Sequence, residues 1–289
     1  MEGIEMTASA EKMGLDELIA NAMELPVLPV TTQKVLSLMA DQDVSIEKVK
    51  RLISSDPALV SKLMTVANSA FYGGYRNIQN LSMAILRLGL NSVRSIIVAT
   101  SMKNVYKRFG LAEKLLWEQS IGAALASGII ARHTRVVDPE DAFIGGLLHD
   151  VGKVVLNNVN PAGFAQIMEM VYNDSIPFSV AEKEVFEFSH RDVGGLVVKK
   201  WGFPENLEIL IRHFEDHDIV SKDRYLQNLV NVITTADLMC QKFGMGWRKP
   251  AGSATDFGAL PVSLGLAPQD MDKLFELVQS AFLQGADFP

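Results

Sequence analysis

Apolar residues along the chain recur at steps of three and four, as in Val35, Leu36, Leu38 and Met39 and again in Val49, Leu52 and Ile53. That spacing puts them on one face of an α-helix. No comparable run of alternating apolar and polar residues accompanies them, so the pattern predicts an all-α protein of helices joined by short turns. Helix starts point the same way. Asp56-Pro57 reads as an N-cap followed by proline at the first helical position, where a missing N–H costs nothing. Asp138-Pro139 repeats the device with Asp141 placed as a capping-box acid, and Ser179 with Glu182 reads as a further capping box.

Gly73-Gly74, Gly89 and the stretch Lys107 to Gly110 punctuate the first half and suggest two lobes. The expected organisation is a lead helix over 1–24, an N-terminal helical lobe over 25–108, a second helical lobe over 109–243 and a tail over 244–289. Within the tail, Met245 to Leu264 has little periodicity and reads as a loop. Met271, Leu274, Phe275, Val278 and Phe282 then space out a helix over Pro268 to Leu283.

Composition narrows the chemistry. With 289 residues, 48% of them hydrophobic, the chain has the material for a substantial core. Lys and Arg number 27 against 34 Asp and Glu, a net charge of -7 that repels phosphate backbones and argues against generic coating of DNA or RNA. Cys240 stands alone, so no internal disulfide can form, and the first residues lack the basic start and apolar run of a secretory signal. Both features fit a reducing cytoplasm. The longest uncharged, mostly apolar stretch, Ile121 to Ala131, falls short of the roughly 18 residues needed to cross a bilayer, so no membrane association is expected. There is no nucleophile elbow, glycine-rich phosphate loop or cysteine pair, which leaves acyl transfer, nucleotide kinase chemistry and thiol redox without support.

Small, apolar and ionisable residues come together in one place, Gly145-Gly146-Leu147-Leu148-His149-Asp150-Val151-Gly152-Lys153. A histidine beside an aspartate at the end of an apolar helix offers a neutral nitrogen and an anionic oxygen, the ligand pair a divalent metal needs. Lys153 could reach a phosphate oxygen. The same residues also read as a hydrogen-bonded His/Asp pair closing a helix, with Gly152 as its C-terminal stop.

With its surroundings, this segment resembles the HD superfamily of metal-dependent phosphohydrolases and, within it, the HD-related output domain, HDOD. The resemblance runs from about Leu25 to Gln241. It is carried by Leu25-Pro26-Val27-Leu28-Pro29, Ser55-Asp56-Pro57-Ala58-Leu59, Ala67-Asn68-Ser69-Ala70-Phe71-Tyr72, Ala84-Ile85-Leu86-Arg87-Leu88-Gly89, His190 to Gly194 and Trp201-Gly202-Phe203-Pro204. It implies a multi-helix HD fold preceded by an extra helical lobe, with the HDOD domain over 25–243. It also implies metal ligands at His149, Asp150 and Asp237, with His190 and His213 matching the additional histidines of the related HD-GYP phosphodiesterases. Gln119 replaces the early histidine that follows a tryptophan in the HD pattern, here Trp117. Phe214 stands where HD-GYP proteins carry a second adjacent histidine.

The resemblance thus implies a bacterial signalling or regulatory module, one that binds a signalling protein partner or a small nucleotide without turnover. An aromatic and basic cluster near the glycine turn of the first lobe, Phe71, Tyr72 and Arg87, offers candidates for partner capture, with Phe71 reading equally as a core residue. The alternative it carries is a metal-dependent phosphohydrolase, with iron, manganese or a similar divalent ion held by His149, Asp150, His190, His213 and Asp237, and with Lys153 offsetting charge on a phosphoryl group.

Overall fold

The structure, a computed structural model, describes residues 26–39, 44–68, 78–106, 110–174, 176–215, 222–246 and 256–284. Among these residues every regular element is a helix, as the three- and four-residue periodicity predicts. The expected lead helix over 1–24 lies outside the described residues, as do Gly73-Gly74, Phe71, Tyr72 and Lys107.

The first lobe is built from α1 (Val30–Met39), α2 (Ile46–Ser54), α3 (Pro57–Ala67) and the front of α4 (Leu81–Met102). Val35, Val49, Ile53, Leu63, Ile85 and Ile96 meet in its core. The Asp-Pro signal works as read: Asp56 Oδ1 accepts from the Leu59 N–H at 3.1 Å, with Pro57 in the first turn. At the far end of α3, Asn68 donates from Nδ2 to the carbonyls of Met64 and Ile78 and accepts the Ile78 N–H on Oδ1 at 2.8 Å. One carboxamide thereby fixes the end of α3 to the approach of α4.

Helix α4 is the wall shared by both lobes. It bends at Gly89, whose φ of 75° and ψ of 163° lie outside the helical region. Nothing lies within 4 Å of where a Cβ would project there, so the backbone conformation, not crowding, calls for glycine. Beyond the bend Val93, Ile96 and Ile97 still face the first core, whereas Val98, Ala99 and Met102 enter the second. The segment Leu81–Val105 is long and apolar enough to cross a membrane by length and composition. Service to two cores accounts for that apolarity. Arg87, on the exposed side of α4, sits beside Leu86, which is also exposed.

A short 3-10 turn, Lys103–Val105, leads to the second lobe: α5 (Leu111–Thr134), α6 (Pro139–Leu148), α7 (Val151–Val159), α8 (Pro161–Asn173), α9 (Phe178–Val185), α10 (His190–Lys200), α11 (Glu205–His213) and α12 (Arg224–Phe243). Helix α6 is gripped between α5 and α12, and the Gly145-Gly146 pair makes the grip possible. A Cβ on Gly146 would lie 2.5 Å from the Ala123 carbonyl oxygen, and one on Gly145 would lie 2.4 Å from Ile233 Cδ1.

Asp138 caps α6 as expected, accepting from the N–H groups of Glu140 and Asp141. Asp141 does not close a capping box. Its carboxylate instead accepts from Arg94 Nη2 at 2.7 Å and from the Tyr225 hydroxyl at 2.8 Å, tying α4 and α12 to the start of α6.

The stretch read as a loop after Met245 contains a helical turn, α13 (Leu260–Ser263). The final helix, α14 (Pro268–Gln284), forms where the apolar spacing places it, and Met271, Leu274 and Val278 enter the second core.

Candidate metal centre

Three local features of the chain assemble this centre. At the α6–α7 junction, His149 follows the last residue of α6 and Asp150 takes the N-cap position of α7. His149 Nδ1 lies 2.7 Å from the Gly146 carbonyl. A carbonyl oxygen only accepts, so Nδ1 carries a proton and Nε2 is turned inward, toward the Asp150 and Asp237 carboxylates. Asp150 makes no side-chain cap bond. An aspartate at an N-cap ordinarily stabilises its helix by about 1 kcal/mol; this one directs its carboxylate into the core instead.

Gly152 brings up the second feature. It is not a helix stop but sits inside α7, where a Cβ would lie 1.8 Å from the His190 carbonyl oxygen and 2.9 Å from the Gly194 amide nitrogen. Glycine lets α7 rest directly on the first turn of α10. That turn is fixed by a capping box in which the Ser189 hydroxyl and Asp192 carboxylate each bond the other's backbone N–H. His190 is therefore held as the first residue of α10, against Asp150.

Glu182 is the third feature, and the sequence reading missed its role. Helix α9 starts at Phe178 after Pro177 and has no side-chain cap, so Ser179 and Glu182 form no capping box. Glu182 is fully buried and turns the other way. Its carboxylate accepts the His190 backbone N–H at 3.1 Å and lies 2.8 Å and 2.9 Å from His190 Nδ1. The signal was an acid eight residues before a histidine, masked by an equally good local reading.

The centre that results is almost dry, with the side chains of His149, Asp150, Lys153, His190 and Asp237 each 6% exposed or less. His149 Nε2 is 3.4 Å from Asp150 Oδ2 and 3.6 Å from Asp237 Oδ1, and His190 Nε2 is 3.3 Å from Asp150 Oδ1. Asp237, on α12, accepts from the Gln119 amide at 2.6 Å and from the Gln241 amide at 3.0 Å. Lys153 points inward, donating to Asp150 Oδ2 at 2.7 Å with its ammonium 4.5 Å from the centre of the Phe178 ring.

His213 is half-buried at the end of α11. The adjacent Phe214 is the residue whose ring stands against the pair, its centroid 5.2 Å from that of His149 and 6.5 Å from that of His190.

Burial pushes the His190 imidazole down, but the Glu182 and Asp150 carboxylates beside it together outweigh burial and lift its pKa to about 9. Burial likewise opposes the charge on His149, and the Asp150 and Asp237 carboxylates reverse it, raising the pKa. Asp150, which burial would raise, is held well below the usual carboxylate range by His149 and Lys153.

His149 Nε2, Asp150 Oδ1, His190 Nε2 and Gln119 Oε1 are all buried without a hydrogen-bond partner. Two imidazole nitrogens and a carboxylate oxygen left unmatched in a dry core are chemically the donor set of a divalent ion such as iron or manganese. Their present arrangement is closed, however. Among the described residues no three His, Cys, Asp or Glu side chains form a ready cage, and one oxygen of Asp150 is held by Lys153.

The HDOD domain family model matches residues 25–217, a stretch that includes His149, Asp150, His190 and His213 and ends before Asp237. An uncharacterized protein of Treponema pallidum (strain Nichols) is 25% identical over 222 residues, 74% of this chain and 42% of that one, so the chain spans less than half the length of that relative. The crystal structure of an HDOD domain protein with unknown function from Geobacter sulfurreducens superposes with a TM-score of 0.77 at 28% identity, covering 94% of this chain and 95% of that one. A protein of Shewanella amazonensis SB2B, described only as a candidate phosphohydrolase, shares the fold with a TM-score of 0.72 at 23% identity, over 94% of this chain and 96% of its own. With the family model spanning about two thirds of its length, the chain belongs to the HDOD family.

Proposed function

We propose that this chain is a bacterial signal-transduction module that acts by binding a protein partner, and that its HD-type centre serves that role without turnover. One observation carries the reading: the groups a hydrolase would present to water and phosphate are engaged within the centre. The Lys153 ammonium is spent on Asp150 at 2.7 Å, and Gln119, in place of a histidine, turns its N–H toward Asp237 at 2.6 Å. A carboxamide is also a weak, neutral metal donor beside an imidazole.

His149, Asp150, His190 and Asp237 are the residues that would hold a divalent ion, with His213 the further candidate on α11. Such an ion would supply Lewis acidity and an acidified water. The chain's own contribution is orientation. The Gly146 carbonyl aims His149, Glu182 aims His190, and two amides hold Asp237.

A cleft of about 620 Å³ opens beside Asp237 between α12 and α13. Its wall carries the carboxylates of Glu215, Asp237 and Asp256 and the carboxamides of Gln227, Asn231 and Gln241, with no Lys or Arg among the described lining residues. A nucleotide phosphate would find no matching cation among those described residues, whereas a polypeptide, with its amides and basic side chains, would find acceptors. This favours a protein partner over a small nucleotide.

The second reading, a metal-dependent phosphohydrolase, is favoured by the three unmatched atoms on His149, Asp150 and His190. Protein purified without oxygen or chelator, supplied with manganese or iron and offered a panel of linear and cyclic phosphodiesters, decides between them. We expect no turnover, together with capture of a partner that Asn231→Arg weakens. Hydrolysis that His149→Ala abolishes would overturn the proposal.

A further inference from the structure

We infer that Lys153 is the resident counter-ion of this centre: its ammonium occupies Asp150 when no divalent ion is present, and an ion that binds His149 and Asp150 must compete with it. The inference rests on the reading of His149, Asp150 and His190 as metal-holding residues. It adds a built-in rival for that metal.

Three carboxylates, Asp150, Glu182 and Asp237, are buried in this centre. Buried charge of that density needs compensation close at hand. Glu182 takes the backbone and ring N–H groups of His190, and Asp237 takes the amides of Gln119 and Gln241. Asp150, which has given up its cap, takes an ammonium. Of the ion pairs at Asp150, the one with Lys153 is the shortest, 2.7 Å against 3.3 Å to His190 and 3.4 Å to His149.

The ammonium is itself locked in place. Lys153 lies three residues after Asp150 in the first turn of α7, only 5% of its side chain is exposed, and its charge rests against the face of Phe178. No water replaces either partner cheaply in such a setting. Yet Asp150 Oδ2 is also the oxygen nearest His149 Nε2. An ion drawn to that nitrogen would have to share the oxygen with a fixed positive charge, and like charges in a dry core repel strongly. The two cations are therefore alternative occupants, and the length and charge of residue 153 set how readily the metal enters.

The test uses the full chain stripped with EDTA, in the native form and as Lys153→Met, Lys153→Gln and the double variant Asp150→Asn/Lys153→Met. Manganese binding is measured by titration calorimetry, and thermal unfolding is followed in EDTA. Removing the ammonium should tighten manganese binding about ten-fold or more while lowering the melting temperature of the metal-free protein. The double variant should recover most of that loss, because it no longer buries an unpaired carboxylate. Lys153→Gln, which keeps a donor near Asp150, supplies the affinity comparison should Lys153→Met not fold. Unchanged or weaker manganese binding in both lysine variants overturns competition, and a double variant no more stable than Lys153→Met overturns the counter-ion role. If neither the native chain nor the lysine variants take up manganese, competition falls together with the metal reading, and the stability comparison still decides the counter-ion role separately.

Discussion

Gly152 is where a single methyl group sets two opposing effects against each other. Alanine in place of glycine favours a helix by up to about 1 kcal/mol, so Gly152→Ala would stabilise α7 if the helix stood alone. It does not stand alone: the new carbon would lie 1.8 Å from the His190 carbonyl oxygen and 2.9 Å from the Gly194 amide nitrogen, both of them backbone atoms. No rotamer change relieves such a contact. Helices α7 and α10 would have to part by roughly 1 Å or more, at the upper end of the 1–3 kcal/mol typical of overpacking. Subtracting the propensity gain leaves a net loss of about 2 kcal/mol. In a chain of this length that corresponds to a fall of about 3 °C in Tm.

Urea unfolding followed by circular dichroism in EDTA measures the loss directly. Because His190 rides on the displaced turn, any manganese affinity should fall in the same variant. A Gly152→Ala protein as stable as the native chain, or more stable, would refute the close approach of α7 and α10 and the account of how His190 reaches Asp150.

Two further outcomes follow from the same centre. The His190 pKa is raised from 6.5 to about 9, so the stability contributed by its charged form is fully present below pH 6.5 and is lost as pH rises through 9. Melting temperatures of the metal-free chain should fall across that window, by the equivalent of at most about 3 kcal/mol, and Glu182→Gln should flatten the fall; the same slope in both proteins would remove Glu182 as its cause. Ser189→Ala should cost about 1 kcal/mol by removing the cap of α10 and should weaken manganese uptake in parallel, with Ser189→Thr restoring both. A loss of stability with no change in uptake would show that the cap does not position His190.

Much of this architecture was legible in the sequence because it depends on local chemistry. Asp56-Pro57 and Asp138-Pro139 start helices through bonds spanning two or three residues, and the apolar spacing of Met271 to Phe282 needs only a surface to dock on. Acids whose spacing suggests the third place in a helix were harder to read. Asp141 and Glu182 both look like capping-box partners, yet Arg94 and Tyr225 claim the first and His190 the second. A free carboxylate at a helix start has two outlets, back to its own N-cap or out to a cation, and only tertiary packing chooses between them. Gly152 was ambiguous for a related reason, since a glycine after a helix signals a stop and a close contact equally well.

The composition of the centre was legible through family resemblance, whereas its charge balance was not. His149, Asp150, His190 and Asp237 lie together while His213 stays at the half-buried end of α11, and Lys153, read in the sequence as able to reach a phosphate, meets Asp150. Phe214 bears on why. In the sequence it is a missing histidine; in the fold its ring packs against both His149 and His190. Where the family resemblance implies a further donor, the chain thus places an apolar ring against the two imidazoles of a centre that also buries three carboxylates. A ring in that position lowers the local polarity and makes every uncompensated charge more expensive. The fewer external donors the centre has for a metal, the more its stability rests on the cation the chain carries itself, and Lys153 is the residue placed to supply it.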